Sequence, residues 1–140
     1  MNRTKVLLFL AIFCCVITFT SSVRADHAVL DGSENWRLAV QAWTFHKGTF
    51  FEAIDNAALM DLSYIEAFPG QALSKEKPDA AFGHMASAEV RQEAREKLAA
   101  AGIILTSYGV VGLPNDEAEC REVFDFAKEM GIETITAEPP

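Results

Sequence analysis

From residue 36 to residue 140 the chain alternates between two hydrophobic periods. Apolar side chains recur at three- and four-residue spacing in Phe50, Ile54, Ala57 and Ala58, in Val90, Ala94, Leu98 and Ala101, and in Cys120, Val123, Phe124, Ala127 and Met130. That spacing gathers each set on one side of a helix. Each helix has a start signal. Thr49-Phe50-Phe51-Glu52 has the form of a capping box, and Ser87 and Asp116 are good N-caps for the second and third. Gly102 and Gly131 suit the left-handed residue that ends a helix. Between the helices lie short runs of β-type residues, read as strands over Arg37–Phe45, Ser63–Phe68, Ile103–Gly109 and Glu133–Glu138. The helix-to-strand joints resemble one another, with Leu62, Gly102 and Gly131 in matching places, which is a weak internal repeat.

Strands alternating with amphipathic helices predict a parallel sheet with right-handed crossovers. One row of strand residues is apolar: Leu38, Val40 and Ala42, then Ile65 and Ala67, Ile103 and Leu105, Ile135 and Ala137. The other row is mixed and polar: Gln41 and Trp43, Tyr64 and Glu66, Thr106 and Tyr108, then Thr134, Thr136 and Glu138. An open doubly wound sheet, covered by helices on both sides, calls for two apolar rows. A mixed row that turns polar toward the strand ends fits the inside of a barrel, whose carboxyl-end mouth carries the chemistry. No glycine-rich phosphate loop follows the first strand, where Phe45-His46-Lys47-Gly48-Thr49 stands. The expected fold class is therefore α/β, the N-terminal half of a (β/α)8 TIM barrel with about four parallel strands and three helices. It is expected to be incomplete, because such barrels typically run to ~250 residues.

The first 35 residues read differently. Asn2-Arg3-Thr4-Lys5 is basic, Val6–Phe19 is an apolar run, and Val23-Arg24-Ala25 offers a cleavage site before Asp26. This is the layout of a secretory signal peptide, with an apolar core shorter than the ~20 residues that span a bilayer. The expected organisation is a signal peptide over 1–25, a flexible lead-in over 26–35 and a partial barrel domain over 36–140, in a secreted or periplasmic protein. The chain has 12 basic and 20 acidic residues, and losing Arg3, Lys5 and Arg24 with the leader would take the net charge from −8 to −11. Such a surface repels phosphate backbones, so no nucleic-acid partner and no stable membrane association are expected. Cleavage removes Cys14 and Cys15 and leaves Cys120 alone, so no intrachain disulfide is expected.

Four stretches carry a resemblance: Trp36–Phe45, Tyr64–Gln71, Tyr108–Leu113 and Gly131–Pro139. In order and spacing the chain resembles the sugar phosphate isomerase/epimerase proteins of the xylose isomerase-like TIM-barrel superfamily, in their secreted bacterial branch. The resemblance implies a (β/α)8 barrel acting on a carbohydrate through a divalent metal ion at the barrel mouth. It implies metal-assisted proton transfer, isomerisation or epimerisation, with elimination as a related outcome. Relatives carry most of their metal-binding residues on later strands, in His-Asn-His and Asp-x-Gly-His segments. Neither segment is present, so this chain alone is not expected to hold the metal. Two other readings stand beside the enzyme: a truncated, non-catalytic fragment, and a sugar-binding barrel without a complete metal site. Homo-oligomerisation is left open.

The site residues follow from strand ends. Glu138, at the tip of the last strand before Pro139-Pro140, is the candidate catalytic residue and metal ligand. Glu66 holds the equivalent tip of the second strand. Trp43 and His46 close the first, where an aromatic face can stack on sugar C–H groups and an imidazole can bond hydroxyls. Tyr108 is the fourth substrate-binding candidate, and Phe45 is assigned to the core. His84 reads as an exposed loop residue, and Cys120 as a buried structural thiol on a helix stripe. Glu89–Lys97 reads as a solvated helix face, and the long Phe68–Ala86 loop as a substrate wall or lid.

Overall fold

The computed structural model describes residues 36–138. The signal-peptide, lead-in and Pro139-Pro140 readings lie outside the described residues. Four parallel strands form one sheet in the order β1-β2-β5-β6: β1 (Ala39–Gln41), β2 (Tyr64–Ala67), β5 (Ile104–Gly112) and β6 (Thr134–Glu138). Helices α1 (Phe50–Leu59), α2 (Ala88–Ala101) and α3 (Glu117–Met130) make the crossovers. The fold is α/β, a run of β/α units compatible with part of a barrel, and its sheet is not closed.

The helix ends follow the sequence. Thr49 Oγ1 accepts from the Glu52 amide while the Glu52 carboxylate accepts from the Thr49 amide, completing the capping box. Ser87 and Asp116 accept from the amides of Val90 and Glu119. Gly102 and Gly131 both take the left-handed conformation that stops α2 and α3.

One layer of core lies between the helices and one face of the sheet. Phe50, Ile54 and Ala57 of α1, Ala94 and Leu98 of α2, and Val123, Phe126 and Met130 of α3 bury against Ile65, Ala67, Leu105 and Val111. Two helix assignments are corrected. Ala58 is exposed and Ala53 takes its place in the core; Phe124 is 54% exposed and Phe126 is fully buried instead. In both helices the stripe turns by a residue or two, because the core sits between the positions that the three- and four-residue spacing offers.

The strand limits also shift. The first strand stops at Gln41, and Ala42–Phe45 coils into a 3-10 turn that carries Trp43 outward. Leu38 and Ala137, placed in the apolar row, are exposed, Leu38 just before β1 and Ala137 on β6. Among the described residues neither strand has a second neighbour to cover it. Inside the Phe68–Ala86 segment, β3 (Gln71–Ala72) and β4 (Ala81–Phe82) pair as a small antiparallel hairpin. Its Phe82 stacks on Phe50 at 4.2 Å, so the hairpin is rooted in the core. Gln71 ties it to the turn after β1 by donating to the Phe45 and Gly48 carbonyls.

The largest correction concerns β5. Tyr64 and Ile65 pair with Ile104 and Leu105, but Glu66 and Ala67 pair with Ser107 and Tyr108. Thr106 is an extra residue, a bulge, and every side chain after it changes face. Tyr108 therefore leaves the inner row and lies fully buried on the helix side, 5.0 Å from the Phe126 ring. Ser107 takes the inner place beside Glu66. A second irregularity sets Gly109 and Val110 opposite Thr136 alone. There the backbones approach so closely that a Cβ on Gly109 would lie 2.4 Å from the Thr136 carbonyl oxygen.

The charged face of α2 is also more than a solvated surface. Arg91 and Arg95 reach α3 and bond the two oxygens of Glu129, at 2.6 and 2.7 Å. Lys97 pairs with Asp55 of α1, and Glu93 with Lys77 of the hairpin. Across the other side of the sheet, Arg37 and Glu133 join the segments before the two outermost strands through two hydrogen bonds of 2.6 and 2.7 Å.

Candidate functional site

The sheet register builds a polar row across three strands. Gln41, Glu66 and Ser107 are aligned neighbours. Gln41 Nε2 donates to Glu66 Oε1 at 2.8 Å, and Ser107 Oγ donates to Oε2 at 3.1 Å. The carboxylate is thereby fixed in orientation, each oxygen keeping a lone pair for a further donor. Thr134 of β6 continues the row opposite Ser107.

At the carboxyl ends of the strands this row meets an aromatic wall. The 3-10 turn after β1 presents Trp43, 55% exposed, over a cleft of about 390 Å³ lined by Gln41, Trp43, Phe68, Pro69, Gly109 and Val110. Phe68 meets the Trp43 ring edge-on at 4.9 Å. His46 stacks on Trp43 at 4.9 Å with an 18° interplanar angle. Its Nδ1 lies 2.8 Å from the Trp43 carbonyl oxygen. A carbonyl only accepts, so Nδ1 carries the proton when the ring is neutral and Nε2 keeps a lone pair.

Of the predicted site residues, Trp43 alone lines this cleft, while His46 stacks on Trp43 and Glu66 bonds the lining residue Gln41. Glu138 stands elsewhere: it is exposed at the end of β6, opposite Gly112, and does not line the cleft. Tyr108 is on the other side of the sheet. Gln41 was visible in the inner row but unmarked by chemistry. Ser107 was hidden by the bulge, and Phe68 and Pro69 by the loop they begin.

His84 is the second correction. It is half-buried, with Nδ1 2.9 Å from the Tyr108 hydroxyl oxygen and its backbone N–H donating to the same oxygen at 3.3 Å. Burial pushes the Tyr108 phenol up to about 12, and burial also holds the His84 imidazole below its ordinary value. The pair borders a second cavity, about 510 Å³, between Pro69-Gly70 and the Ala80–Ser87 stretch. Cys120 is half-buried, its thiol donating to the Pro114 carbonyl at 3.1 Å.

Among the described residues no three His, Cys, Asp or Glu side chains converge as a metal-binding group. Glu66 and Glu138 do not form such a set, so the residues described do not fit the divalent ion that the resemblance implies. No helix among the described residues is long and apolar enough to cross a membrane.

No known family profile matches the chain, and no curated protein matches it. Among solved structures it is similar to the crystal structure of an uncharacterized protein from Parabacteroides distasonis ATCC 8503, with a TM-score of 0.69 and 28% sequence identity. The match covers 75% of this chain and 44% of that one, so the chain spans less than half of that neighbour's length.

Proposed function

We propose that this chain supplies one wall of a carbohydrate site in a secreted sugar isomerase- or epimerase-like barrel protein. The observation that carries this reading is the cleft at the carboxyl ends of the strands. There an exposed Trp43 face, flanked by Phe68, stands next to the Gln41–Glu66–Ser107 hydrogen-bond row. An aromatic face takes the C–H side of a sugar ring, and an oriented amide and carboxylate take its hydroxyls. Within this wall, Glu66 is an acceptor that orients the sugar. Metal-assisted proton transfer belongs to the complete barrel, and the residues described here do not derive it.

A non-catalytic sugar-binding role has its own support. Both Glu66 oxygens accept hydrogen bonds, an arrangement that suits fixed recognition more than proton abstraction. Two measurements separate the readings. Titrating a panel of neutral monosaccharides while following Trp43 fluorescence, in a Trp36→Phe background, reports binding. NMR of the same sugars in D2O, with the complete barrel protein supplied with a divalent metal ion, reports exchange at the carbon next to the carbonyl. Binding with exchange supports the enzyme, binding without it supports the binding protein, and no binding by any sugar overturns both.

A further inference from the structure

The two arms of the 68–84 segment converge on one hydroxyl. Tyr108 rises from the buried side of β5, and its oxygen lies where a Cβ on Gly83 would come within 2.9 Å. That same Cβ position is 3.4 Å from Pro69 Cα and 3.5 Å from Gly70 N, so the outgoing and returning arms are in contact beside the phenol. Only glycine fits there, and Gly83 also holds a φ of +151°. The next residue, His84, is bonded to the Tyr108 oxygen through both its amide and its ring. Pro69 lines the proposed sugar cleft on one side and the cavity at Tyr108 on the other.

We propose that Tyr108 and His84 form a latch that positions the Phe68-Pro69 wall of the cleft, and that protonation of His84 releases it. The part of this that concerns the sugar rests on the function proposed above. In the latch the Tyr108 oxygen accepts the His84 amide proton and, with Nδ1 unprotonated, directs its own hydrogen to His84 Nδ1. The latched imidazole is then neutral, with its proton on Nε2. A proton on Nδ1 would set two donors against each other and force the hydroxyl to turn.

Burial sets the direction, lowering the His84 value, and the charged groups around it act against one another. The Arg91 guanidinium, which donates to the His84 carbonyl at 2.8 Å, disfavours the imidazolium. Glu122 of α3 favours it more weakly than burial opposes it. Asp125 and Glu129 line the same recess, with Glu129 held by Arg91 and Arg95. With its value lowered in the closed state, the latch contributes fully above the ordinary histidine value of 6.5 and is lost as pH falls through the lowered one.

The test is amide hydrogen exchange over residues 69–72 and 81–84 in the full chain, expressed as protection relative to the intrinsic rate at each pH. Tyr108→Phe keeps the ring and removes the hydroxyl. It should lower protection about tenfold at pH 7.5, the scale of one buried hydrogen bond. His84→Asn keeps an acceptor near the Nδ1 position and should hold near-wild-type protection with no loss in acid, whereas wild-type protection should fall below pH 6.5. Unchanged protection in Tyr108→Phe, or the same acid loss in His84→Asn, overturns the latch whether or not any sugar binds. A latch seen by exchange with no sugar bound by the wild type would fail the sugar reading alone. Where both hold, Tyr108→Phe should weaken sugar binding several-fold.

Discussion

At Trp43 the placement of a single side chain decides what the cleft can recognise. The Trp43 indole is 55% exposed at the mouth of the cleft. Here His46 stacks on the ring and Phe68 meets it edge-on, and together they hold it in place. Trp43→Ala should therefore lower sugar affinity about tenfold or more while shifting the melting temperature little, as isothermal titration and thermal unfolding would register. Gly109 is the opposite case, a residue whose absent side chain matters. Gly109→Ala sets a methyl against the Thr136 backbone and should destabilise the chain by about 1–3 kcal/mol in urea unfolding. Trp43, His46 and Glu66 were legible in the sequence, because strand alternation and the strand ends place them. Tyr108 and Ser107 were not. One bulged residue, Thr106, exchanges their faces, and nothing in Leu105-Thr106-Ser107-Tyr108 announces it. His84 was misread for the same reason: its partner was expected on the other side of the sheet.

Among the elements, the helices were the readable part. Their caps are local chemistry, and Thr49, Ser87 and Asp116 act where the sequence put them. Thr49→Ala would remove the hydroxyl half of the capping box and should cost about 1 kcal/mol of stability. Strand lengths were less readable, because the chain can leave a parallel ladder for a 3-10 turn without changing composition, as it does at Ala42. Contacts between elements were hidden altogether. The charges of α2 read as solvated until Arg91 and Arg95 were seen gripping Glu129 of α3. Hydrogen bonds from Arg95 and then Arg91 hold the Glu129 carboxyl below its ordinary value of 4.5. The stabilisation is therefore complete above pH 4.5 and disappears as pH falls through the lowered value. The pair is partly exposed, so its worth is at most about 1 kcal/mol. The melting-temperature gap between wild type and Glu129→Gln should be small at pH 7 and close in acid.

Among the described residues, some of the apolar side chains outside the core lie along the sheet, while Leu59, Met60 and Met85 are exposed elsewhere. Phe124 follows Glu122 and precedes Glu129 on α3, and at 3.6 residues per turn it lies about 140° round the helix from Glu129. Glu129 faces α2, so Phe124 is on the flank turned away from it; at the β6 margin of the sheet Ala137 is exposed. At the other margin Leu38 is 73% exposed next to β1. Both margins of the sheet therefore carry apolar side chains and, among the described residues, strand edges without a partner. Between them the inner face shows Ile104 and Val110 about half exposed. Such edges template further strand pairing, and a net charge of −8 opposes it at close approach, within the ~8 Å screening length at physiological salt. Added salt shortens that length, so it should favour association by weakening the repulsion between copies while leaving the apolar contact intact. Sedimentation velocity on the chain should show mass rising with concentration and with salt. Phe124→Glu, on an exposed helix flank where folding does not need the ring, should return the distribution to monomer. A wild-type chain that stays monomeric at high salt, or a Phe124→Glu variant that associates as strongly, would mean that these margins do not drive contact between copies.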